Sequence, residues 1–169
     1  MTNKFELYHE TQSWIAKNTE IYRSSRHRAL EILCRKIIEV MEIDRIGIWF
    51  FTLDNSAIYE EIRFMKDGSS LHGTILKQDD YPSYFSTIQH ERILTSNNVK
   101  ETPALKELLK TYYLPANIVS MMDSPIFSDG SMIGVVAFER VEKQMNWTMA
   151  DINFASAISD TVEIGRAHV

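Results

Sequence analysis

Residues 118–140 constrain the fold more than any other stretch of the chain. They read IVSMMDSPIFSDGSMIGVVAFER, two apolar runs joined through Ser128-Asp129-Gly130. Asp-Gly supplies the positive φ angles of a tight two-residue turn, whose twist matches that of the flanking strands. The spacing predicts a hairpin with strands over 118–127 and 132–141. A second strand signal lies at 45–52, RIGIWFFT. Ile46, Ile48 and Phe50 alternate with Trp49 and Phe51, so both faces are apolar. A strand of that kind sits inside a sheet covered on both sides. After the turn-forming Asp54-Asn55-Ser56, residues 57–66 read as the returning strand, with Ile58, Ile62 and Phe64 on one face. Short strands are expected near 71–76 and 93–96.

Helical spacing frames these strands. Leu7, Trp14 and Ile21 recur every seven residues and predict a helix over 4–24 with one apolar stripe. Leu30, Leu33, Ile37 and Met41 predict a stronger one over 26–43. Cys34 lies on its apolar side and reads as a small buried hydrophobe. Pro82 suits the first turn of a short helix within 79–89. Thr102-Pro103 is a helix start; Leu105, Leu108, Leu109 and Tyr112 form its stripe, and Pro115 stops it. Thr148 and Asp151 resemble a capping box ahead of a last helix carrying Phe154, Ala155, Ile158 and Val162. Helices first and last, hairpins between and no βαβ winding give an α+β fold.

Composition narrows the partners. The chain has 169 residues, 18 Lys+Arg against 23 Asp+Glu, and a formal charge of -5. That excludes a basic nucleic-acid footprint as a global property. No apolar run approaches the roughly 20 residues of a membrane span, and no secretory signal is visible at the start. One cysteine excludes an internal disulfide and a multi-cysteine zinc site. The expectation is an intracellular, cytoplasmic domain.

The search for catalysis is negative. No phosphate-binding glycine loop, HExxH or GxSxG occurs. His9, His27, His72, His90 and His168 are scattered and read as surface residues. Glu60-Glu61 and Asp79-Asp80 are adjacent pairs whose members diverge or are solvated. Asn3-Lys4-Phe5-Glu6 matches the start of a motif of cyclic-nucleotide-binding modules, but its place ahead of the first helix makes it a coincidence. Tyr81, Tyr84 and Phe85 lie in an excursion between strands, where they either wall a cavity or close the core beneath it. Asp123 interrupts an apolar strand and needs a partner if buried: it caps nearby backbone or meets a ligand. Of Glu139-Arg140 only one can face a given cavity. Arg140 is either an anion partner or a strand-end charge.

Five pieces in order, RIGIWFF, DYPSYF, TPALKELLKTYYLP, 118–140 and NWTMADINFASAISDTV, resemble a GAF domain over roughly 26–164. They are closest to a bacterial subgroup found beside histidine kinases and diguanylate cyclases. The resemblance implies an antiparallel sheet of about six strands. The N- and C-terminal helices would pack on one face and a helical excursion would cover a ligand pocket on the other. Candidate pocket residues are Trp49, Phe51, Tyr81, Tyr84, Phe85, Met122, Asp123 and Phe138, with Arg140. The expected organisation is an N-terminal helical extension at 1–25, the domain at 26–165 and a tail at 166–169. Cys34 lies on an early helix, so the bilin-attaching cysteine of phytochromes has no counterpart, and the redox cysteines of GAF-type methionine sulfoxide reductases are missing.

These features point to a non-enzymatic sensor. A small ligand would shift the terminal helices, and a fused or separate output module would read the shift. The ligand is left open among cyclic nucleotides, aromatic metabolites and haem, for which His72 and His90 are conceivable ligands. The alternative is a ligand-free dimerisation module packed through its terminal helices. Filled-in aromatics at the excursion would favour it.

Overall fold

The computed structural model describes residues 3–90 and 92–167, the last four by backbone alone. Its centre is an antiparallel sheet of β1 (Arg45–Phe51), β2 (Ala57–Met65), β3 (Ser70–Leu71), β4 (Ile75–Lys77), β5 (Leu94–Ser96), β6 (Ile118–Ser128) and β7 (Ser131–Val141). The order is β3-β2-β1-β7-β6-β5, with β4 also paired to β2. The β6–β7 hairpin forms as its turn dictates: Asp129 and Gly130 take φ values of 50° and 79°, both left-handed as a type I′ turn demands. Gly134 lets β7 lie against β1, since a Cβ there would stand 2.1 Å from the Trp49 carbonyl oxygen.

One face is covered by α1 (Lys4–Lys17), α3 (Arg26–Met41) and α5 (Met149–Ala167). Leu33, Cys34 and Ile37 of α3 and Phe154 and Ile158 of α5 bury against Ile48, Phe50, Val136 and Phe138. Thr148 and Asp151 form the expected reciprocal cap: the Thr148 amide donates to Asp151 Oδ2 at 2.8 Å and the Asp151 amide to Thr148 Oγ1 at 3.3 Å. Tyr8 of α1 donates to Asp151 Oδ1 at 2.5 Å and stacks on Phe154 at 4.3 Å. The first helix is tied to the last in this way.

Three expectations are corrected. The N-terminal helix breaks at Asn18, whose side chain caps α2 (Thr19–Arg23). Tyr8, Thr11 and Ile15 are its buried residues, and Trp14 stays 38% exposed. The helix expected after Thr102 is a 3-10 turn, Pro103–Leu105, followed by a π-helical turn, Leu109–Tyr113. Thr102 does not cap it, because its hydroxyl bonds Ser96 and the Asn98 carbonyl instead. Ile58 lies on the opposite face from Ile62 and Phe64. Ile48 pairs with Ile62 but Trp49 with Glu60, so Glu61 is an extra residue and the bulge resets the alternation. At the other end α5 stays helical to Ala167, into the tail expected at 166–169; His168 and Val169 lie outside the described residues.

The second face carries the excursion. α4 (Pro82–His90) and the 3-10 and π turns bury Tyr84, Phe85, Leu105, Leu108 and Tyr113 against Trp49, Met121 and Val135.

Candidate functional site

Strand alternation aims Arg45, Trp49, Asp123, Ala137 and Glu139 at the excursion. Between them and the excursion lies a cavity of about 10 Å³, walled by Trp49, Tyr84, Tyr112, Tyr113, Asp123 and Glu139 among others. That is room for about one water. Asp123 is 5% exposed, and Tyr84 reaches down from α4 to donate to its Oδ2 at 2.5 Å. Burial pushes the Asp123 carboxyl up to about 7; the Tyr84 hydroxyl opposes the shift and the Glu139 charge adds to it.

Beside this cavity the sheet buries two ion pairs. Arg45 and Glu139 face each other across β1 and β7, with Nε donating to Oε1 at 2.8 Å. Arg63 Nε donates to Glu60 Oε2 at 2.7 Å. Residues three apart in a strand normally face opposite sides; the bulge at Glu61 brings these two together. None of the four is more than 8% exposed. Burial works against the Arg45 charge, and the neighbouring Glu139 carboxylate raises its pKa above the ordinary value. Burial raises the Glu60 carboxyl, against the pull of Arg63 and with the push of Glu139. Glu60 Oε1 has no partner inside hydrogen-bond distance; the Thr74 hydroxyl favours its charge from farther off. Gly47 leaves space for this group, as a Cβ there would come within 2.9 Å of Trp49 Nε1 and 3.1 Å of Glu60 Oε2. Tyr112 covers both pairs. The guanidinium carbons of Arg45 and Arg63 lie 5.6 and 5.5 Å from its ring centroid.

Of the residues expected at a pocket, Trp49, Tyr84 and Asp123 line the cavity. Phe85 is fully buried, edge-on to Phe51 at 6.2 Å and to Tyr84 at 5.3 Å. Phe51 and Tyr81 pack at the margin of the same cluster. Met122, Phe138 and Arg140 are corrected. Met122 and Phe138 belong to the core beneath the helices, because strand alternation assigns Asp123, Ala137 and Glu139 to the excursion side. Arg140 shares their face. It pairs with Asp44 at 3.7 Å and donates to the Glu42 carbonyl.

Sequence reasoning missed Arg45, Glu60, Arg63, Tyr112, Tyr113 and Glu139 as site residues. Charges set inside apolar strands were the available signal. Of the acidic pairs, Glu61 bonds Arg26 through both oxygens, at 2.6 and 3.0 Å, and Asp79-Asp80 is exposed. His72 and His90 are exposed too, and among the described residues no three His, Cys, Asp or Glu cluster as metal ligands. Asn3 of the N-terminal Asn3-Lys4-Phe5-Glu6 serves as a helix cap, accepting from the Glu6 amide at 2.9 Å. Cys34 is wholly buried, which raises its thiol pKa and keeps it unreactive. Among the described residues no helix is long and apolar enough to cross a membrane.

Residues 25–165 match the family described as GAF domain. No curated protein sequence matches the chain. Solved structures are similar in fold at low identity. The GAF domain of an Acinetobacter phosphoenolpyruvate-protein phosphotransferase has a TM-score of 0.74 at 17% identity, over 99% of this chain and 96% of that one. The phycoerythrobilin-bound GAF domain of a cyanobacterial phytochrome gives 0.70 at 13%, over 99% and 96%. The free methionine-R-sulfoxide reductase of Neisseria meningitidis, solved with its substrate, gives 0.65 at 13%, over 99% and 93%.

Proposed function

The chain belongs to the GAF domain family, and from that premise we propose that it is a non-enzymatic regulatory domain that takes up a small polar molecule between its sheet and its excursion. The observation that carries this reading is the buried ionic group of Arg45, Glu139, Arg63 and Glu60 beside Asp123. Ionic groups of this kind add little to a core. Well-packed apolar residues in their place are often neutral or more stabilising by roughly 1–4 kcal/mol. A face meant only to hold the fold together has no need of two buried ion pairs and a buried acid, whereas a polar ligand does. In the phytochrome relative the GAF domain holds phycoerythrobilin; this chain lacks a cysteine on the cavity to attach one.

Entry of a ligand requires the excursion to move, because the space between the walls is about 10 Å³. A ligand biases such an equilibrium only by its differential affinity for the two states. The shift would pass to the terminal helices, where the Tyr8–Asp151 bond couples the first to the last. An output module such as the histidine kinases and diguanylate cyclases beside which this subgroup is found, in the cytoplasm, would read it there.

The closed cavity favours a second reading, a ligand-free module that dimerises through its terminal helices. Native mass spectrometry of the gently purified chain separates the two. Extra mass lost on denaturation supports the sensor. A bare dimer whose melting temperature does not respond to a panel of nucleotides and aromatic metabolites supports the scaffold.

A further inference from the structure

The π-helical turn Leu109–Tyr113 turns two consecutive tyrosines towards the sheet. The Leu108 carbonyl accepts from both the Tyr112 and Tyr113 amides, at 2.9 and 3.1 Å, and this widened turn spaces their side chains differently from an α-helix. Insertions of this sort recur at functional sites. Tyr113 fills the cavity wall, and Tyr112 lies over the ion pairs.

Both the ring and the hydroxyl of Tyr112 are held. Two guanidinium groups approach its ring at 5.6 and 5.5 Å, an electrostatic attraction that desolvation strengthens. Trp49 meets it edge-on at 6.1 Å and Tyr113 at 5.1 Å. Its oxygen accepts from Arg45 Nη2 at 3.2 Å and donates to Glu139 Oε1 at 3.4 Å. Tyr113 beside it is buried, whereas Tyr112 is only partly buried. With Tyr112 in place the remaining cavity admits about one water.

We propose that Tyr112 is a built-in plug, and that the ligand of this domain is a ring bearing a phenolic hydroxyl that displaces Tyr112 and takes over its contacts. The inference rests on the ligand-binding reading above and adds the chemistry and the gate. Glu139 selects the class. A phenol accepts from Arg45 and donates to Glu139, whereas a carboxylate in the same place would set two negative groups against each other. A plain hydrocarbon ring would take from Arg45 Nη2 its acceptor, which costs about 1–3 kcal/mol for a buried donor, and would leave Glu139 Oε1 with the Arg45 Nε bond alone.

The test uses p-cresol, the tyrosine side chain as a free molecule, with toluene and 4-methylbenzoate as its apolar and anionic counterparts. Binding to the whole chain and to Tyr112→Ala is measured by calorimetry. Truncating a large core side chain leaves a cavity on the order of 100 Å³ or more, enough for a small aromatic ring. Tyr112→Ala is expected to bind p-cresol at least tenfold more tightly than it binds toluene or 4-methylbenzoate, and at least tenfold more tightly than the unaltered chain does. Equal affinity for toluene, a preference for 4-methylbenzoate, or no gain over the unaltered chain overturns the proposal. Should Tyr112→Ala fail to fold, Tyr112→Phe keeps the ring and loses the two bonds that hold the plug. It is expected to admit p-cresol several-fold more readily than the unaltered chain, and an equal or weaker affinity refutes the plug. If native mass spectrometry finds a retained molecule while these titrations fail, the sensor reading stands and the plug falls; a bare chain whose Tyr112→Ala variant discriminates among the three probes leaves the slot and removes the retained ligand.

Discussion

Replacing Asp123 by asparagine isolates the cost of a carboxyl buried between the sheet and the excursion. Asparagine has nearly the same shape and keeps an oxygen for the Tyr84 hydroxyl, but it does not ionise. The Asp123 pKa rises from its ordinary 3.8 to about 7, mainly through burial. Below pH 3.8 the folded and unfolded chains both hold the proton, and the acid carries no electrostatic penalty. Between 3.8 and about 7 the unfolded chain releases it while the folded chain keeps it, so stability falls as pH rises. Above 7 both are ionised and the whole penalty is present. A shift of about three units at about 1.36 kcal/mol each amounts to roughly 4 kcal/mol. Urea unfolding of both proteins from pH 4 to 8 measures it. Every other titrating group is shared, so the difference between the two proteins belongs to Asp123. Asp123→Asn is expected to gain on the unaltered chain by about 1.4 kcal/mol per pH unit up to pH 7, then to level off. Any unfavourable contact of the new amide adds a constant and leaves the slope intact. A difference that is flat across this range, or that grows as pH falls, would refute the assignment of Asp123 as a buried, desolvated acid.

Other substitutions test the remaining parts. Arg63→Met leaves Glu60 buried without its cation and is expected to cost about 3–5 kcal/mol; adding Glu60→Gln should return much of that, which a double-mutant cycle in urea reads directly. Tyr8→Phe keeps the stacking on Phe154 and removes the bond to Asp151, at about 1–2 kcal/mol. Faster amide exchange confined to α1 and the start of α5 is the sign that the bond couples those helices. Gly134→Ala forces a Cβ to within 2.1 Å of the Trp49 carbonyl oxygen, and because that contact is backbone the loss should reach about 3 kcal/mol, visible as a lowered melting temperature.

Amino-acid order determined most of the scaffold. The Asp129-Gly130 turn and its flanking apolar runs specify the central hairpin locally, since few other residues take two left-handed conformations in succession. The alternation of Ile46, Ile48 and Phe50 with Trp49 and Phe51 required cover on both faces, and the helical spacing from Leu30 to Met41 supplied one of the covers. Thr148 and Asp151 marked the start of the last helix through a bond between near neighbours. Family resemblance was legible for the same reason: its motifs are short, local and in order.

The site was less legible because its members are brought together by events distant in the chain. Met122, Phe138 and Arg140 looked as eligible as Asp123, Glu139 was passed over for its neighbour Arg140, and only the sheet's sidedness separates them. Which face of β7 looks at the helices follows from how 11-residue strands pair with β1. The bulge at Glu61 placed Glu60 and Arg63 on one face, and the inward π-helical turn set Tyr112 over them. A bulge is an extra residue relative to a partner strand, so it has no meaning until the partner is known. Local sequence determined which segments are strands and helices; the long-range pairing of β1 with β2 and β7 decided which charges are buried together, because burial is a property of both surfaces in contact.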